Sequence, residues 1–145
     1  MRSAIVTRPI DLQALLAEVA RHANGATLLF VGTVRDVNDG RAVTGIEYSA
    51  YGAMAEAELG RIVAEAAERF GTTDIAVEHR VGRLALGEAS VAIAVAHPRR
   101  AGAYELSRWV IEELKHRIPV WKREEYVDGT REWLDPTAAK EPARP

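Results

Sequence analysis

The sequence predicts one domain that mixes helices with strands, and three observations lead to this class. The chain has 145 residues with 48% apolar content, which suits a single core of ordinary size. Short runs rich in β-branched residues alternate with longer amphipathic segments. Gly, Pro and Asx-Gly pairs separate these segments. We therefore expect residues 1–145 to form one domain, without an internal repeat.

Turn signals divide the first half of the chain into five predicted elements: a strand at 1–8, a helix from Asp11 to Gly25, a strand at 26–35, its partner strand at 43–51 and a helix at 54–70. Asp11 is the expected N-cap of the first helix, and Asn24-Gly25 is its expected end. Gly32 lies inside the second strand, where glycine is typical of a bulge or of a close backbone approach.

The second half predicts a strand at 74–82, a turn at 84–88, a central strand at 89–96, a helix at about 101–115, an extended run from 120 and a hairpin across 125–134. The strand at 89–96 is expected to be central because its residues form a continuous apolar run. Asp128-Gly129 is a strong turn signal for the hairpin. The tail at about 136–145 contains few apolar residues, so we expect it to be loosely ordered.

The composition disfavours several classes of function. The chain has no cysteine, which excludes disulfides, thiolate metal sites and cysteine nucleophiles. Its formal charge of −2 disfavours general binding to nucleic acid, which depends on a basic surface. No apolar run approaches the roughly 20 residues that cross a bilayer, and the first residues do not resemble a signal peptide. We expect a cytoplasmic protein without a membrane or nucleic-acid partner.

The most informative stretch runs from Lys115 to Glu124. Pro119 must end the preceding helix near Arg117, so the chain continues in an extended conformation. In an extended run Lys122 and Glu124 share one face, and Lys122 can turn back toward the helix end that carries Lys115. Two amines could then serve one pocket. The alternative is that these basic residues only complement the dipole at a helix C-terminus.

Two further basic sites lie at the ends of predicted elements. Arg35 follows a strand, where it either faces a ligand or is solvated. Arg99 and Arg100 precede a helix, where their charges oppose the dipole unless an anion binds between them; the alternative is a plain surface pair. If these sites converge with Lys115, the pocket suits a small phosphorylated substrate. A lysine among other cations could act there as proton donor or nucleophile.

Several motifs together resemble the MoaE family, the large catalytic subunits of molybdopterin synthase. The first is Phe-Val-Gly-Thr-Val-Arg at 30–35 with Asn38, and the second is the segment His-Pro-Arg-Arg at 97–100 before the third helix, which is similar to a His-Arg pair. The most specific is Lys115-x-x-x-Pro119-x-Trp121-Lys122-Arg123-Glu124. The resemblance covers most of the chain. It implies the α+β class with an α/β-hammerhead fold, in which an antiparallel or mixed sheet combines with three main helices and a C-terminal hairpin.

The resemblance also implies an activity and partners. Two large subunits would form a homodimer, and one small ubiquitin-like subunit would bind at each end to give a heterotetramer. The small subunit's C-terminal thiocarboxylate would supply sulfur to cyclic pyranopterin monophosphate, producing the molybdopterin dithiolene. This sulfurtransferase reaction needs no cofactor on the chain. The alternative hypothesis is a non-catalytic module that binds a nucleotide or phosphoprotein, and an RNA binder is disfavoured by the charge.

Site residues follow from the resemblance by position. Lys115 and Lys122 are the implied catalytic lysines, and the implied substrate-binding residues are Thr33, Val34, Arg35, Arg99, Arg100, Arg123 and Glu124. Arg99 stands where the family usually has histidine, and His97 lies two residues earlier. Either His97 reaches the same space, or Arg99 replaces it, or His97 is simply bonded to backbone.

Two observations limit the implied site. Thr33 stands where the family often has lysine, so the pocket has one cation fewer. The four histidines show no spacing typical of metal ligands, so we expect no metal site.

Overall fold

The computed structural model describes residues 1–134, and this part of the chain contains three helices and nine strands. The helices are α1 (Leu12–Val19), α2 (Gly52–Phe70) and α3 (Arg100–Arg117). The strands are β1 (Arg2–Val6), β2 (Ala26–Thr33), β3 (Val37–Asn38), β4 (Arg41–Ala50), β5 (Ile75–Arg80), β6 (Gly82–Ala85), β7 (Ala89–His97), β8 (Val120–Tyr126) and β9 (Arg131–Leu134). The tail predicted to be loosely ordered lies outside the described residues.

The first sheet has the strand order β1-β5-β7-β2, with β1 parallel to β5 and the other pairs antiparallel. Strand β7 is central, as predicted from its apolar run. Its alanines, including Ala92 and Ala94, pack with α1, while Val91, Ile93 and Val95 face the main core with α2 and α3. This alternation lets both faces of β7 be covered by helices.

The second sheet has the order β3-β4-β8-β9, and β6 also pairs with β4. The prediction that residues 43–51 pair with 26–35 is therefore wrong, because β2 pairs with β7 in the first sheet. A bulge between Gly32 and Thr33 ends β2, and Val34 then bonds to the backbone of Gly87 and Glu88. This bulge carries the chain from one sheet to the other.

The predicted turn at 84–88 is also partly wrong, because its first residues belong to β6. Leu84 is fully buried opposite Ile46, and this burial extends the strand up to Ala85. The first helix ends at Val19, well before Asn24-Gly25. Asn24 instead donates to Asp74 Oδ2 at 2.7 Å, so it anchors a loop to the start of β5.

The other helix boundaries agree with the local signals. The Asp11 side chain caps α1 by accepting from the amide of Ala14. Gly71 ends α2 in the left-handed conformation, at a φ of 67°. Helix α3 ends at Arg117, and Ile118 is already extended before Pro119, which leads into β8. None of the helices in residues 1–134 is long and apolar enough to cross a membrane.

Candidate functional site

A polar pocket of about 180 Å³ lies where the end of β2 meets β3, β4, β7, β8 and the last turns of α3. Its lining residues are Gly32, Thr33, Arg35, Val37, Asn38, Val43, Ile46, Tyr48, Ser90, Lys115, Lys122 and Glu124. Three of them are cations and one is a buried carboxylate. The pocket therefore suits a small ligand with negative charge.

The two lysines reach this pocket from adjacent elements. Lys115 lies in the last turn of α3, and Lys122 lies on β8 just past Pro119. In the register of β4 with β8, Lys122 stands opposite Tyr48 and Glu124 stands opposite Ile46. All four residues line the pocket, because paired residues lie on the same face of a sheet. The transition from helix to strand at Pro119 thus brings both lysines to one pocket.

Glu124 is the centre of a hydrogen-bond network in the pocket wall, and only 1% of its surface is exposed. Its carboxylate accepts from Asn38 Nδ2 at 2.7 and 2.9 Å and from the Tyr126 hydroxyl at 2.9 Å, and it pairs with Lys122 Nζ at 3.3 Å. Burial by itself would raise the pKa of Glu124, but these donors and the Lys122 charge lower this pKa below its ordinary value. The carboxylate therefore stays ionised and orients Lys122.

Arg35 and Thr33 line the same pocket from the end of β2 and the residues just after it. Arg35 is exposed, and its Nη2 donates to Asn38 Oδ1 at 3.4 Å, which links it to the Glu124 network. Thr33 lines the pocket just after the bulge at Gly32, where a Cβ atom would lie 2.7 Å from Val91. Val34 is buried in the core, so its side chain is not available to a ligand. The bulge thus aims Thr33 and Arg35 into the site.

The structure does not bring every predicted site residue to this pocket. Arg99 and Arg100 lie at the other end of α3, which puts Arg100 about 22 Å from Lys115 along the helix axis. Arg123 points to the opposite face of the sheet, because neighbouring residues of a strand alternate. There it pairs with Glu47 and lies over the ring of Trp133. Within one chain, only the clusters of Arg35 and Lys115 converge.

His97 is held by backbone at the end of β7. Its Nε2 lies 3.2 Å from the carbonyl oxygen of Phe70 and donates to it, and its Nδ1 accepts from the amide of Arg99 at 3.0 Å. This arrangement matches the interpretation of His97 as a residue bonded to backbone. The ring rests on Gly102, where a Cβ atom would lie 2.3 Å from it.

Replacing Gly102 with alanine should therefore destabilise the protein, although alanine favours helix. The new methyl group would push the His97 ring from its two bonds, and we expect a loss of about 1–3 kcal/mol in the free energy of unfolding. Urea denaturation measures this free energy. Gly60→Ala is the matched control in α2, because a Cβ atom added there would have Ser3 Oγ, at 3.9 Å, as its nearest neighbour. This variant should raise the free energy of unfolding by up to about 1 kcal/mol. Equal stability of the two variants would contradict the packing described for His97.

Sequence reasoning missed three residues beside Lys115, namely Tyr48, His79 and Ser90. Tyr48 is buried and lines the pocket with Ser90, whose Oγ donates to the carbonyl of Gly32 at 3.2 Å. Burial raises the pKa of Tyr48 above its ordinary value. The alternation of apolar residues along β4 indicates that Tyr48 points inward. The neighbouring sequence does not show which residues Tyr48 contacts.

The fold and the site together define an α+β protein with a pocket lined by three cationic side chains at the junction of two sheets. In residues 1–134 no group of three or more His, Cys, Asp or Glu side chains is arranged to hold a metal ion. The chain belongs to the MoaE protein family, whose sequence model matches residues 5–117.

Individual relatives agree with this assignment. The molybdopterin synthase catalytic subunit of Emericella nidulans is 43% identical over 120 residues, which cover 83% of this chain and 62% of that protein. A crystal structure of molybdopterin synthase from Staphylococcus aureus superposes with a TM-score of 0.85 at 34% identity, covering 90% of this chain and 95% of that one. The likeness confirms the predicted fold class.

A second solved structure contains two different subunits. It is a complex of subunits 1 and 2 of the molybdopterin-converting factor from Helicobacter pylori, and one of its chains matches with a TM-score of 0.71 at 25% identity. The match covers 99% of this chain and 93% of that one.

Proposed function

We propose that this chain is the catalytic subunit of a molybdopterin synthase. It would transfer sulfur from the C-terminal thiocarboxylate of a small ubiquitin-like subunit to cyclic pyranopterin monophosphate. The observation that carries the proposal is that Lys115 and Lys122 line one pocket with Arg35, against the buried carboxylate of Glu124. The names of the relatives support the same activity.

The residues divide into two roles in this proposal. Arg35 and Lys122 supply positive charge for the phosphate and the pterin, and Glu124 holds the Lys122 ammonium in place. Lys115 lines the same pocket from the last turn of α3, where it acts as nucleophile or proton donor at the carbon that receives sulfur. Because the chain lacks cysteine, the transferred sulfur must come from the partner.

The proposed assembly is a homodimer of this chain with a small subunit at each end. The two-subunit complex from Helicobacter pylori supports a small partner. Arg99 and Arg100 are exposed and far from the pocket of their own chain, so they can bind substrate only across a contact between two copies. Val34 and Arg123 support the site from the core and from the opposite face of the sheet.

A single incubation tests this function. The purified chain is mixed with thiocarboxylated small subunit and cyclic pyranopterin monophosphate, and the pterin product is analysed by mass spectrometry. We expect a product that has gained two sulfur atoms, and none when the small subunit ends in an ordinary carboxylate. Binding of the pterin without sulfur incorporation would instead support a non-catalytic phosphate-binding module. Sedimentation of the chain alone checks the expected dimer.

A further inference from the structure

His79 occupies an unusual place for a polar side chain. It lies on β5 and continues the row of Ile75 and Val77, which face the main hydrophobic core. Only 3% of its surface is exposed. An apolar residue would fill this position at a lower desolvation cost, so the presence of an imidazole here requires an explanation.

The hydrogen bond of His79 determines its tautomer. Its Nδ1 lies 3.0 Å from the carbonyl oxygen of Arg80, and a carbonyl only accepts, so Nδ1 carries the proton. Burial, and then the positive charge of Lys115, lower the pKa of His79 to about 4. The ring is therefore neutral at physiological pH, and its Nε2 has a lone pair rather than a proton.

The ring is also fixed in orientation beside Lys115. Tyr48 contacts it edge to face, with centroids 5.3 Å apart and planes at 77°. His79, Tyr48 and Lys115 line one small cavity of about 10 Å³, together with Leu114, Ile118 and Val120. Tyr48 and Lys115 also line the larger pocket described above. The cavity thus adjoins the pocket and shares Tyr48 and Lys115 with it.

We propose that His79 is a positioning residue, whose unprotonated Nε2 fixes the orientation and the protonation state of the Lys115 amine. Its contribution to turnover rests on the proposed function, whereas its effect on the amine does not. A buried acceptor favours the ammonium form of a nearby lysine, and an apolar replacement favours the neutral amine. The other titratable groups that line the two cavities beside Lys115 are Arg35, Tyr48, Lys122 and Glu124.

Three substitutions separate positioning from simple packing. His79→Leu continues the apolar row and removes the acceptor. His79→Gln places an amide near the position of Nε2, and His79→Asn keeps only a donor near the position of Nδ1. A packing role predicts that leucine is tolerated and glutamine is harmful. The positioning role predicts the opposite order.

The first measurement is the pH dependence of Lys115 acetylation by acetic anhydride, followed by peptide mass spectrometry on the full chain. The chain has three lysines, so Lys122 and Lys140 serve as references in the same digest. We expect the midpoint for Lys115 to fall by about one pH unit in His79→Leu and to stay near the wild-type value in His79→Gln. The exposed His22→Leu is the matched control and should leave the midpoint unchanged.

An unchanged Lys115 midpoint in folded His79→Leu would overturn the proposal. If His79→Leu does not fold, the comparison of His79→Gln with His79→Asn decides: a shift only in the asparagine variant supports positioning, and a shift in both or in neither overturns it. Sulfur incorporation is the second readout, with kcat expected to fall roughly 10- to 100-fold in His79→Leu and to recover in His79→Gln. Wild-type protein that makes no product would refute the proposed function, while the acetylation result would still decide this inference.

Discussion

Lys115→Ala is expected to abolish formation of the sulfur-containing product while leaving the chain folded. Losing a nucleophile or proton donor costs roughly 10²- to 10⁴-fold in rate, and the assay should fall to background. The fold should persist, because the core residues of α3 beside it, Val110 and Leu114, are unchanged. The measurement is product mass per unit time, with circular dichroism as the folding check.

Two further variants show what the Lys115 amine does. Lys115→Arg keeps a positive charge but cannot supply a deprotonated amine, so it should stay inactive if the lysine reacts or transfers a proton. Full recovery in Lys115→Arg would reduce the role of Lys115 to charge alone. His116→Ala alters the next, exposed residue of the same helix and should retain wild-type activity. Undiminished product from Lys115→Ala would rule out its catalytic role.

Glu124→Ala is expected to cause the largest loss of stability. It removes a buried carboxylate and leaves Asn38, Tyr126 and Lys122 without their shared acceptor. Breaking a buried charge pair of this kind costs about 3–5 kcal/mol, which is a large part of the stability of a typical domain. Urea denaturation at pH 7 measures the loss. Glu132→Ala, which removes an exposed carboxylate paired with Arg41, should cost less than about 1 kcal/mol.

The same carboxylate predicts a pH dependence. The pKa of Glu124 is lower in the folded state than the ordinary glutamate value of 4.5. Its ionisation therefore contributes stability that is fully present above pH 4.5 and is lost as the pH falls through the folded-state pKa. The stability difference between wild type and Glu124→Gln should be constant near neutral pH and shrink under acid. A difference that does not change between pH 7 and acid would contradict the lowered pKa.

Local signals predicted much of the chain correctly because they act through backbone geometry. Asp11 caps α1, Gly71 ends α2 and Pro119 separates α3 from β8, each for a reason that involves only a few neighbouring residues. The Lys115 to Glu124 motif also indicated the family, which the comparisons confirm. The period of alternation correctly placed Lys122 and Glu124 on one face of the strand.

The sequence by itself therefore determined the presence of three helices, the bounds of the second and third to within two residues, most strands, the family and the pair of lysines. Only the tertiary structure decided that β2 pairs with β7, since pairing depends on burial against distant residues. It also placed Tyr48 and His79 in one cavity with Lys115, from strands remote in sequence. Short-range geometry can be predicted from a few residues, but these contacts depend on how the two sheets and α3 pack together.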